Sequence, residues 1–148
     1  MKHRAMRIGS ALVLALLILG CSGKESPDNF VRVSSQDAEL NAAIARAQET
    51  LPGFLERLAN PMSDDADFLL KVAMLTKDNG REHIWVKNIE RTESGLSGNI
   101  ANVPVALPGI KIGDRVEFNE SDVSDWLISK LDGSMEGGFT VVVLDQRE

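Results

Sequence analysis

The apolar positions of the chain change period twice, and each change marks a new kind of segment. Residues 8–20 are almost continuously apolar. From residue 36 the apolar positions Leu40, Ala43, Ile44, Ala47 and Leu51 recur at helical spacing, with Asn41, Gln48 and Glu49 opposite them. That spacing predicts an amphipathic helix over roughly 36–50. Ser34 with Asp37 three residues later is a capping-box signal at its start. Pro52 and Gly53 are expected to kink or restart the helix, and Phe54, Leu55 and Leu58 continue its apolar face until Asn60-Pro61 stops it. With few Lys or Arg on its polar face, the stripe reads as packed on a core and not as lying on a membrane surface.

Beyond Asp64, Asp65 and Asp67 the period falls to two. Phe68, Leu70, Val72 and Met74 alternate with Leu69, Lys71, Ala73 and Leu75, so the strand has a second face that is at least partly covered. Asp78-Asn79-Gly80 predicts a hairpin, because a tight turn needs residues that tolerate positive φ, and 82–89 is the return strand. Gly95, Gly98 and Asn99 bracket a third strand through Ile100 and Val103, before Pro104, Pro108 and Gly109 interrupt the ladder. A fourth strand covers 115–118, and 123–129 reads as a fifth strand or a single helical turn. Asp132-Gly133 and Gly137-Gly138 lead into a last strand over 139–144. The expected class is α+β: an N-terminal amphipathic helix, kinked at Pro52, packed on a meandering, strongly twisted antiparallel sheet of about five to six strands.

The apolar run at the start changes where this domain is expected to live. Lys2, Arg4 and Arg7 precede it and no acid interrupts it, the layout of an export signal. As a helix its 13 residues would reach only about 20 Å, against about 30 Å of hydrocarbon core, so a permanent span is not expected. Ile18-Leu19-Gly20-Cys21 resembles the lipobox of bacterial lipoproteins. The resemblance implies cleavage before Cys21, its lipidation (palmitate among the acyl groups), and a stable anchor made of more than one acyl chain. Ser22 in place of Asp resembles lipoproteins sent to the outer membrane. The expected organisation is a signal peptide over 1–20, the lipidated Cys21 and a polar tether over 21–35, and one domain over 36–146. The localisation that follows is the bacterial cell envelope, lipid-anchored and facing the periplasm.

Charge and cysteine count narrow the function classes. The chain of 148 residues has 16 basic and 22 acidic side chains, and three of the basic ones lie in 1–20, so the exported part carries 13 against 22, about −9. Nucleic acid is excluded as a partner, because neutralising phosphates needs clustered Lys or Arg. Membrane contact is expected through the lipid anchor alone. With Cys21 lipidated, no disulfide is available and stability must come from the core. Glu90, Glu93, Glu117, Glu120, Asp122 and Glu136 read as a solvated acidic surface, and Asp114 after Gly113 as a turn residue.

Several short motifs carry a family resemblance. Glu82-His83-Ile84-Trp85-Val86, then Gly98 with Asn102 and Pro104, Gly113-Asp114-Arg115-Val116, Asp125-Trp126-Leu127-Ile128 and Gly137-Gly138-Phe139-Thr140 resemble the YegJ-like family of bacterial domains of unknown function, number 2314 in that series. Ala45-Arg46-Ala47 with Leu51 and Phe54 fits that family's helical lead-in. The likeness spans roughly 37–144. It implies a compact α+β domain and supplies no activity, cofactor or catalytic residue.

The residue inventory points the same way. His83 is the only imidazole once 1–20 is removed, so no His pair with zinc-like spacing exists and no metal is expected. No Ser lies in Gly-x-Ser-x-Gly, and no phosphate-cradling glycine loop is present. No cofactor and no catalytic residue is assigned. On a strand His83 and Trp85 share one face, whereas Asp125 and Trp126 point apart. His83, Trp85, Asp125 and Trp126 are the candidate binding residues: Trp supplies stacking area, and His83 or Asp125 fixes a polar group. The leading expectation is a non-enzymatic envelope lipoprotein that binds a protein or envelope component. The alternatives are a small envelope hydrolase using His83 with an acidic residue, Asp125 or Glu82, and an immunity-type protein that binds a toxin through its acidic face.

Overall fold

The computed structural model describes residues 37–147. The export signal, Cys21, the tether and the Ser34 end of the capping box lie outside the described residues. Helix α1 runs Ala38–Ala59 and is capped by Asp37, whose carboxylate accepts from the Leu40 amide at 3.0 Å. Asp37 is therefore the cap itself, not the third residue of a box begun at Ser34. Glu39 in the first turn and Arg57 in the last complement the helix dipole.

Pro52 lies inside α1, and the helix runs through it as one element without a restart. A mid-helix proline costs about 3 kcal/mol. Beyond it Phe54 and Leu55 are buried, each contributing about 1.5–3 kcal/mol, and Pro52 itself faces solvent. Burial on the far side of the proline outweighs its local penalty.

Six strands form one antiparallel sheet: β1 (Asp65–Leu75), β2 (Arg81–Arg91), β3 (Leu96–Ile100), β4 (Arg115–Phe118), β5 (Val123–Lys130) and β6 (Met135–Gly137). The spatial order is β4-β3-β2-β1-β5-β6. The first four strands form the expected meander, but β5 joins the far side of β1. In a flat sheet β4 and β5 would stand roughly 19 Å apart, four spacings of about 4.8 Å. Only 119–122 connect them, three residues of which form a 3-10 turn at about 2 Å per residue. The sheet must therefore curl. It curls toward α1, because the Gln48 side chain donates to the Ser121 and Val123 carbonyls at 3.1 and 3.2 Å and ties the connector to the helix.

The segment 139–144 is not a strand. Residues Phe139–Asp145 form a second helix, α2, and the last strand is the three-residue β6 before it. Three consecutive valines favour a strand on propensity, but the helical period places Thr140 and Leu144 on one side and exposes Val142. The glycine pair decides the geometry. Gly137 has φ +80 and a Cβ there would lie 2.2 Å from the Trp126 carbonyl, so the chain can reverse against β5 only without a side chain. Val103 also lies outside β3, in the loop to β4.

The core fills the space between α1 and one sheet face, with Leu70, Val72, Ile84, Val86, Val123 and Trp126 meeting Ala47, Leu51 and Phe54. Phe54 and Trp126 have ring centroids 5.5 Å apart. Among the described residues no helix is long and apolar enough to cross a membrane.

Candidate functional site

The opposite sheet face carries the chemistry. Lys71 pairs with Trp85 on one side and Asp125 on the other, and Ala73 pairs with His83, so these side chains share the face that α1 does not cover. One extra residue in β5 shapes it. Asp125 aligns with Lys71, but the next β1 residue, Val72, aligns with Val123, which leaves Ser124 as a bulge. The bulge resets the alternation, so that Val123 enters the core while Ser124 and Asp125 both serve the opposite face.

Asp125 is fully buried and has no spare capacity. Its carboxylate accepts from the amides of Trp126 (2.9 Å), Phe139 (3.1 Å) and Thr140 (2.8 Å), and from the Thr140 hydroxyl (2.5 Å). It thus caps α2 from another strand, where Gly138 at the helix start has no side chain to do so. Thr140 Oγ1 in turn accepts from Lys71 Nζ at 2.9 Å. The Lys71 ammonium sits 4.8 Å from the centroid of the Trp85 ring, a cation–π contact. Burial pushes the Lys71 amine below its ordinary range, and the Asp125 charge opposes that shift.

His83 belongs to a second small network. Ser124 Oγ donates to the Lys71 carbonyl at 3.2 Å and so accepts from His83 Nδ1–H at 2.7 Å. Burial, then the charges of Lys71 and Arg81, lower the imidazole pKa and favour the neutral ring. Neither acid considered as its partner is available: Asp125 is spent on α2, and the Glu82 carboxylate accepts from the Val105 and Ala106 amides at 2.7 Å each. Glu82 thereby pins the loop of residues 101–114 along β2. There the Asn102 side chain accepts from the Trp85 amide (2.7 Å) and the Ala101 amide donates to the Trp85 carbonyl (2.8 Å), which covers the open β2 edge.

Between this loop and α2 lies an open groove of about 270 Å³, lined by Leu69, Trp85, Ala101, Asn102, Leu127 and Val141. Trp85 is its aromatic wall. Trp126 is no part of it: its ring packs under α1, 5.5 Å from Phe54 and from Phe139, and its indole N–H donates to Thr50 Oγ1 at 2.9 Å. The four candidates thus divide. His83, Trp85 and Asp125 share a face, Asp125 is internal, and Trp126 is core. Sequence reasoning missed Lys71, Ser124, Thr140 and the apolar walls Leu127 and Val141. One signal was there, a lysine within the otherwise apolar run 68–75 of β1.

Asp114 is a turn residue, accepting from the Lys111 amide at 3.0 Å. Among the described residues no three His, Cys, Asp or Glu side chains gather closely enough to hold a metal ion. Residues 37–147 match the family described as "Uncharacterized protein conserved in bacteria (DUF2314)". The chain is 26% identical over 131 residues to a protein of Escherichia coli (strain K12) named "Uncharacterized protein YegJ", covering 88% of this chain and 83% of that one. No solved structure gives a significant match.

Proposed function

The chain belongs to the DUF2314 family of conserved bacterial proteins, and from that premise we propose that it is a non-enzymatic binding domain of the cell envelope, held by a lipidated Cys21 and facing the periplasm, on the outer membrane. The observation that supports binding is the groove beside Trp85, a concavity with apolar walls on a face whose buried Lys71 and Asp125 are both hydrogen-bonded to Thr140. Sites of this kind bind by shape and buried apolar area, with a few polar groups setting orientation. We assign no catalytic residue, metal or cofactor. The anchor rests on the sequence from Lys2 to Cys21.

Capture with the full-length chain in native membranes tests the binding reading. A partner is expected to be recovered by the wild type and lost with Trp85→Ala, while Val142→Ser, on the exposed side of α2, leaves recovery unchanged. Equal recovery with Trp85→Ala removes the groove from the site. The anchor is tested separately by mass spectrometry of the mature N-terminus, where an unmodified Cys21 eliminates it.

One contact favours a second reading, a small hydrolase: His83 Nδ1 and Ser124 Oγ lie 2.7 Å apart, the spacing of a base and its nucleophile. Against it, Ser124 is only 2% exposed, and its hydroxyl donates to the Lys71 carbonyl, so His83 Nδ1 carries the proton of their contact and is not free to act as a base. A fluorophosphonate probe that fails to label Ser124 sinks this alternative.

A further inference from the structure

We infer that Asn79 is a self-modifying site of the folded protein: the Gly80 backbone nitrogen attacks its side-chain amide, the succinimide so formed opens with water to aspartate or isoaspartate, and isoaspartate loosens the β1–β2 hairpin at that end.

The reaction needs only the chain and water. A bond forms between the Gly80 nitrogen and Asn79 Cγ, the Cγ–Nδ2 bond breaks, and the Gly80 amide proton leaves with the NH₂ group as ammonia. Water added at Cγ then breaks the new bond and gives aspartate at position 79. Water added at the main-chain carbonyl carbon breaks the original peptide bond instead and gives isoaspartate, whose main chain runs through the former side chain. No atom changes oxidation state.

Three conditions favour ring closure: an exposed side-chain amide, a following N–H that is neither crowded nor bonded, and a peptide link that can turn. Asn79 and Gly80 form the only Asn-Gly step of the chain, and both are exposed at the hairpin tip. Among the described residues neither the Asn79 side chain nor the Gly80 N–H has a hydrogen-bond partner. Gly80 adds no Cβ to crowd the nitrogen. Two backbone bonds hold the turn, from the Asn79 N–H to the Thr76 carbonyl at 3.2 Å and from the Thr76 N–H to the Gly80 carbonyl at 3.0 Å. Turning the link between 79 and 80 gives up the second of these, and a single bond at a hairpin end slows the step by at most about tenfold relative to the unfolded chain.

Two other sites fail these conditions. Asn88 shares the positive φ, at 52, but its amide donates to Asn99 Oδ1 at 3.4 Å, and the residue after it is the buried, β-branched Ile89, which crowds its own nitrogen. Asp132 also precedes a glycine, yet the Gly133 N–H is committed to the Lys130 carbonyl at 3.0 Å. Its carboxylate accepts from the Ser134 N–H and hydroxyl at 2.9 and 2.7 Å, which holds it below the ordinary carboxylate range, so it stays ionised and offers no leaving group.

The full-length chain in detergent is held at mildly alkaline pH, where more of the attacking nitrogen is deprotonated, and digested at intervals. The peptide carrying position 79 is expected to shift from the mass of an asparagine peptide to that of an aspartate peptide and to separate into two isomers, while the peptides carrying Asn88 and Asp132 stay single. Gly80 is not in the left-handed region, and an added Cβ would meet only the Thr76 and Asp78 side chains, the nearest atom being Thr76 Oγ1 at 3.1 Å, so Gly80→Ala keeps the turn. It is expected to slow conversion at least about tenfold. Conversion at Asn88 as fast as at Asn79, or no slowing by Gly80→Ala, overturns the proposal. The same time course in urea gives the unfolded rate, and a folded rate more than about tenfold below it shows that the turn protects Asn79 and overturns the proposal as well. Amide exchange reads the structural outcome. The extra main-chain atom of isoaspartate is expected to speed exchange of the Thr76 amide at least about tenfold, whereas Asn79→Asp, which adds the charge without the atom, leaves it unchanged. A Thr76 amide equally protected before and after conversion sinks the loosening of the hairpin.

Discussion

The two faces of the sheet use the same strands one residue out of phase, and they are stabilised in different ways. Under α1, Leu70, Val72, Ile84 and Val86 are at most 1% exposed and meet only apolar neighbours and aromatic rings. On the other face Lys71, His83, Ser124, Asp125 and Thr140 form a polar network in which each group answers another. Stability on the first face scales with area removed from water. On the second it depends on completeness, because a buried polar group that loses its partner pays its desolvation without return. The core face therefore tolerates an apolar swap, and the network face tolerates removal of a whole pair better than removal of one member.

The largest expected effect tests the core side. Phe54 is 1% exposed and touches the rings of Phe68 and Trp126, with centroids at 5.8 and 5.5 Å. Phe54→Ala is expected to cost about 3–5 kcal/mol in urea unfolding, because the cavity adds to the lost transfer energy. A loss no larger than that of the half-buried Leu127→Ala would mean that the α1 face is not the dominant core.

Next in size is the network. Asp125→Asn removes the charge that faces both Lys71 and the α2 amides, and is expected to cost about 3 kcal/mol. Lys71→Met added to Asp125→Asn should restore part of that loss, since no buried charge is then left alone. A double-mutant cycle with no coupling would show that the two residues are independent and that the network is only proximity.

Gly137→Ala couples the two faces, for Gly137 lies over the Trp126 backbone at the entry to α2. The added Cβ would meet a carbonyl oxygen at 2.2 Å at a φ of +80, neither of which a rotamer change relieves. A loss of about 1–3 kcal/mol is expected, with α2 amides exchanging faster with solvent. Unchanged exchange in α2 would separate the glycine turn from the placement of the helix.

These two regions were unequally legible in the sequence. The α1 stripe, the β1–β2 hairpin around Asn79 with its φ of 60, and the bounds of β4 follow from local periods and turn chemistry. The separation of Asp125 from Trp126 follows from strand alternation alone. What local pattern does not carry is pairing: that β5 crosses to β1, that a bulge turns Ser124 toward His83, and that Asp125 reaches across to start α2. The run Val141-Val142-Val143 reads as strand because its helical start depends on that distant carboxylate. The role of Lys71 is hidden for the same reason, since its partners Thr140 and Trp85 lie 69 and 14 positions further along the chain.

The smallest expected effect isolates the network side by pH. Burial and the charges of Lys71 and Arg81 hold the folded-state pKa of His83 below its ordinary 6.5. Above 6.5 the ring is neutral in both states and its contribution is fully present. As pH falls through 6.5 toward the folded value, the unfolded chain takes up a proton that the folded ring resists, and stability declines; below the folded value the decline stops. Part of the ring is solvated, so the slope stays below the about 1.4 kcal/mol per pH unit of one fully linked proton. Asp37, held at about 2 by Arg147, loses its contribution only below its ordinary 3.8, whereas burial lowers the Lys71 amine, so its contribution grows as pH climbs toward its ordinary 10.5. Urea midpoints measured between pH 7 and 5 should therefore fall for the wild type and flatten for His83→Asn, whose amide can still reach Ser124. An equal slope in both proteins would place the titrating group elsewhere and reduce His83 to a packing residue on the network face.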